Sequence, residues 1–72
     1  MTKSERLEWV KKRALKTLAK DGVKFAWASF LSDMAKHEDT KNHTDVSLGS
    51  QLFHSGMLST VPLMKKFLEE VQ

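Results

Sequence analysis

The chain is 72 residues long, carries a formal net charge of +3 and contains no cysteine. One small domain fits that length, and the missing thiols exclude disulfides, thiolate metal sites and thiol catalysis, which leaves oligomerisation as the expected support for a small core. No apolar run approaches the roughly 18 residues of a membrane span, and the opening stretch MTKSERLEWVKKR has no apolar segment of the signal-peptide kind, so a cytoplasmic protein with no membrane association is expected.

The charge is unevenly spread. Residues 1–20 hold seven Lys or Arg against two Glu, a local net of +5, and the rest of the chain sums to −2. A positive rod on a faintly acidic body favours an anionic partner, or an acidic face on another protein.

Apolar spacing predicts a first helix over 2–20. Thr2 and Glu5 fit a capping box, with Ser4 as an alternative cap. Leu7, Val10, Ala14 and Leu18 form its inward stripe, with Leu15 beside it. Asp21-Gly22 ends it, Gly22 being free to take the left-handed conformation. So short a break makes the first two helices antiparallel neighbours.

The second helix is predicted over 23–38 and is expected to be the central one. Val23, Ala26, Trp27, Phe30, Leu31 and Met34 recur at three- and four-residue steps and share a face. Phe25, Ala28, Ser29, Ser32 and Ala35 lie opposite, mostly small and with one large ring. A helix with those two faces can be approached from both sides. Phe25, Ala28, Ser29 and Ser32 are therefore the expected interface of a homo-oligomer, a dimer in the simplest case.

Residues 39–45, DTKNHTD, have no apolar side chain and predict an exposed loop. A short third helix follows over 46–55, capped by Asp45 or Ser47, with Leu48, Leu52 and Phe53 inward. Gly49 would let another backbone come close, and Gly56 would stop the helix. After the apolar link Met57-Leu58, Ser59 or Thr60 caps a fourth helix over 60–71. Pro62 is tolerated in its first turn, and Met64, Phe67, Leu68 and Val71 make its apolar face. No strand pattern interrupts this order. The expected fold is a single all-α, four-helix domain spanning residues 1–72, two longer helices followed by two shorter ones.

Three constellations bear on function. On a helical wheel Trp9 lies about 160° from Leu7, away from the inward stripe and among Lys12, Arg13, Lys16 and Lys20. Lysines attract phosphate and an indole stacks on a base, so this pattern suits single-stranded nucleic acid or a nucleotide. The same ring could instead pack on another subunit or on the fourth helix, with Lys and Arg stems lying over it. In the 39–45 loop, Lys41, Asn42 and His43 offer further contacts to an anionic ligand. His37, His43 and His54, with Glu38, Asp39 and Asp45, are metal-compatible residue types, yet their spacing matches no ligand motif, and no metal or other cofactor is expected.

The third and fourth helices have a helix-turn-helix outline. Against it, bulky Leu52 would occupy a position usually small, Pro62 would sit in the recognition helix, and Lys65 and Lys66 are offset by Glu69 and Glu70. No nucleophile or phosphate-loop context suggests an enzyme. The expectation is a non-enzymatic binding protein that engages an anionic ligand through its first helix. The alternative is a small regulatory or inhibitory protein, of the accessory kind that bacteria and phages encode, acting on a protein partner.

Overall fold

Thr2 starts the first helix by a reciprocal pair of bonds. Its hydroxyl accepts from the Glu5 N–H (3.1 Å), and the Glu5 carboxylate accepts from the Thr2 N–H (3.0 Å). These Thr2 bonds, the backbone one foremost, hold the Glu5 carboxyl below its ordinary value. The computed structural model describes residues 2–71, in which helix α1 (Lys3–Asp21) is followed by α2 (Val23–Ala35), α3 (Thr44–His54) and α4 (Val61–Glu69). No strand occurs among the described residues, so the domain is all-α, with two longer helices preceding two shorter ones.

The inward stripe of α1 is the expected one: Leu7, Val10, Ala14 and Leu18 are all buried. Gly22 differs from expectation. It has φ 97° and ψ −176°, a positive φ with extended ψ, not the left-handed helical conformation. The reason is its double duty. Its N–H donates to the Leu18 carbonyl (3.2 Å) and its own carbonyl accepts from the Ala26 N–H (3.0 Å), so one residue closes α1 and opens α2. Only glycine enters that backbone region without strain.

Helix α2 buries Ala26, Trp27, Phe30, Asp33 and Met34. It stops at Ala35, three residues short of the predicted end. In a longer helix the Met34 carbonyl would accept from residue 38. Here the Thr40 hydroxyl donates to it instead (2.7 Å), while the Thr40 and Lys41 N–H groups turn back onto the His37 carbonyl (3.2 and 2.9 Å). The 39–45 segment is therefore not wholly exposed: Thr40 is fully buried.

Helix α3 begins two residues before the predicted start, and neither Asp45 nor Ser47 caps it. His43 is the N-cap, its Nδ1 accepting from the Asp45 N–H (3.0 Å). Asp45 falls in the first turn, where a carboxylate suits the helix dipole. Val46, Leu52 and Phe53 pack against the core, but Leu48, expected inward, is exposed. Gly49 admits rings, not a backbone: a Cβ there would lie 2.7 Å from Phe67 Cζ and closer still to Trp27 Cη2. The helix ends at His54 and is closed off at Gly56, φ 85°, where Gly56 N–H donates to Phe53 O and Met57 N–H to Leu52 O, the paired bonds of a Schellman stop.

Thr60 caps α4, its hydroxyl accepting from the Leu63 N–H (3.4 Å), with Pro62 in the first turn. The helix ends at Glu69, and Val71 just beyond it is buried. The core joins the α1 stripe to Ala26, Trp27, Phe30 and Met34 of α2, Leu58 of the α3–α4 link, and Met64, Leu68 and Val71. Helix α1 packs along α2 and then α4. Helix α2 is central in one specific sense, through Trp27. Its ring stacks on Phe30 of its own helix (5.3 Å between centroids) and Phe53 of α3 (5.8 Å), and meets Phe67 of α4 edge-on (6.0 Å).

Candidate functional site

The outward side of α1 carries the first candidate group. Trp9 is 36% exposed, and Lys12, Arg13, Lys16 and Lys20 are exposed with it. Helical spacing puts them together: Arg13, Lys16 and Lys20 follow Trp9 at four, seven and eleven residues, all near whole turns. Arg13 lies over the indole, with Cζ 4.7 Å from the ring centroid. Among the described residues, Lys12, Lys16 and Lys20 form no ion pair, so their charge is uncompensated by contact.

Arg13 is different, because α2 supplies it with an anion. Asp33 is 1% exposed, and its carboxylate lies 3.2 Å from Arg13 Nε through Oδ2 and 3.2 Å from Lys36 Nζ through Oδ1. A buried carboxylate without such partners would carry a heavy desolvation cost. Arg13 thus anchors α1 to α2 while its guanidinium covers Trp9. The residue that arranges this, Asp33, was missing from the sequence-based site. A signal for it existed: it is the lone acid between residues 23 and 35, and its wheel position lies about 60° from Phe30, on the flank of the buried face.

The loop residues occupy a separate place. Lys41 pairs with Glu38 (3.0 Å), and His43 is committed to capping α3. Asn42 and His43 line a surface depression of about 450 Å³ with Lys3, Glu38, Asp39, Thr44 and Asp45. Three carboxylates against one lysine make that depression a poor place for an anion. Arg6 pairs with Asp39 and ties the loop to α1.

The residues expected at an oligomer interface stay open in the single chain. Phe25 is 65% exposed, Ala28 and Ser32 are exposed, and Ser29 is half-buried. Among the described residues no helix covers the Phe25 ring. His37, His43 and His54 are not gathered: among the described residues no group of three or more His, Asp or Glu side chains is placed to hold a metal ion. No described helix is long and apolar enough to cross a membrane. The chain matches no family model, no curated protein and no solved structure.

Proposed function

We propose that this protein is a non-enzymatic binding module for an anionic ligand, a nucleic acid or nucleotide, held by the outward face of α1. One observation carries the reading: the partly exposed Trp9 ring, braced by Arg13, stands beside three cations that form no ion pair among the described residues. Lys12, Lys16 and Lys20 supply phosphate contacts, and the indole supplies a stacking surface. Arg13 shares its charge with Asp33 and acts mainly by holding the ring.

The test is fluorescence anisotropy with labelled single-stranded DNA, RNA and nucleotides at low salt. Lys12→Glu with Lys16→Glu should weaken binding to every sequence alike and flatten its salt dependence, because phosphate contacts carry no sequence information. Trp9→Ala should cost about 1–3 kcal/mol of binding. None of these changes touches the buried stripe of α1. Absence of wild-type binding to all of these ligands sinks the reading.

A second reading rests on another surface. Leu48, Met57, Val61 and Leu63 are large, apolar and exposed, all in the C-terminal half. Such side chains suit a protein partner or a second copy of the chain. Association through them would persist as salt rises, whereas polyanion binding would fall steeply.

A further inference from the structure

Resting on that reading, we propose that the ligand is a single strand laid across both α1 and α2, with Phe25 as a second stacking ring. The α1–α2 pair is antiparallel, since Arg13 meets Asp33 and Arg6 meets Asp39. Trp9, Arg13, Asp33 and Lys36 form one continuous chain of contacts across the two helices. That places Lys36 on the same side of the pair as Trp9.

Phe25 precedes Lys36 by eleven residues, close to three full turns, so the two share a side of α2 to within about 20°. Lys36 keeps helical dihedrals at the C-cap, which makes the count valid up to it. Counting along the pair from Arg13–Asp33, Phe25 comes level with the last turn of α1, where Lys20 stands. The two exposed rings therefore mark opposite ends of one face. Between them lie Lys16 and Lys20 on one helix and the small Ser29 and Ser32 on the other.

The length of this face selects the ligand. Trp9 and Lys20 are separated by about 16 Å at the 1.5 Å rise of a helix. A stacked strand covers that with about five nucleotides at 3.4 Å each, and an extended strand with fewer. A lone nucleotide reaches one ring only. A duplex reaches neither as a stacking surface, because its bases already stack on one another. Two rings separated by cations and flanked by small side chains thus fit an unpaired strand of a few nucleotides. Phe25 is the residue that the basic-helix reading leaves out, and its 65% exposure is otherwise unexplained by the fold.

The experiment measures anisotropy of labelled thymidylate strands, a dinucleotide and an octanucleotide, and of an octamer duplex, at low salt, with sedimentation of the same samples. The octanucleotide should bind more tightly than both the dinucleotide and the duplex. Phe25→Ala should weaken the octanucleotide about tenfold, the alanine cost of one stacked base, and erase most of its advantage over the dinucleotide. Phe25→Trp should restore it. If Trp9→Ala weakens the octanucleotide and Phe25→Ala does not, the strand lies on α1 alone, which overturns this inference and leaves the basic-helix reading standing. Equal affinity for duplex and single strand overturns it as well. A wild-type dimer that Phe25→Ala dissociates assigns the ring to a second copy of the chain, with the same consequence. Failure of every probe to bind the wild type removes both readings together.

Discussion

Thr40 illustrates how much one hydroxyl decides. It is fully buried in a segment with no apolar side chain, and it donates to the Met34 carbonyl at 2.7 Å and the His37 carbonyl at 3.3 Å. Thr40→Val keeps the shape and deletes the donor, leaving a buried carbonyl short of a partner. We expect a loss of about 1–3 kcal/mol in denaturant unfolding. Thr40→Ser keeps the hydroxyl and should lose less. A Thr40→Val protein as stable as wild type would mean that the α2 terminus is held by something else. Asp33 belongs to the same scale. Its two cationic neighbours are about half exposed, at 50% and 54%, so the cluster straddles the surface and links the core to the candidate face.

At the scale of helices, α3 depends on one missing side chain. It buries Gly49 and nothing else completely, and the space above Gly49 is filled by the Trp27 and Phe67 rings. Gly49→Ala must push rings that are themselves wedged among Phe30 and Phe53. Overpacking of this kind costs about 1–3 kcal/mol, more than the helix propensity gained from alanine returns. A lower melting temperature, with altered near-ultraviolet circular dichroism from Trp27, is the expected outcome. An unchanged melting temperature would show that α3 can slide aside.

The helices themselves were legible because each has a period and a punctuation mark: the Thr2–Glu5 capping pair at the start of α1, Gly22 after it, Gly56 after α3, Thr60 before α4. The failures share a cause. The α2 end and the His43 cap rest on local side-chain bonds, Thr40 to the Met34 carbonyl and His43 from the Asp45 N–H, that hydrophobic periodicity does not display. The candidate face was legible only on its α1 side. Its link to α2 runs through Asp33, whose burial follows from how two helices meet. Lys41, Asn42 and His43 look like an anion site only when read apart from Glu38, Asp39 and Asp45, which stand beside them in sequence and line the same depression as Asn42 and His43.

Taken whole, the single chain already closes on itself. Its Cα radius of gyration is 11.1 Å, beside about 11 Å for a folded domain of this size. The layout also carries a kinetic consequence, through Gly22. Joining two helices by one residue makes the α1–α2 pair the cheapest long contact in the chain to form, since loop-closure entropy is smallest there. We expect this pair to be in place at the folding transition state, with α3 and α4 docking afterwards. Gly22→Ala forces a Cβ into φ 97°, a strain of about 1–3 kcal/mol. In a chevron plot that loss should appear mostly as slower folding, with little change in unfolding rate. An unfolding limb that absorbs the whole effect would place the turn late. On the expected order, the face that joins Trp9 to Phe25 is assembled before the core is finished, and an anionic strand could meet it while the C-terminal half is still unfolded.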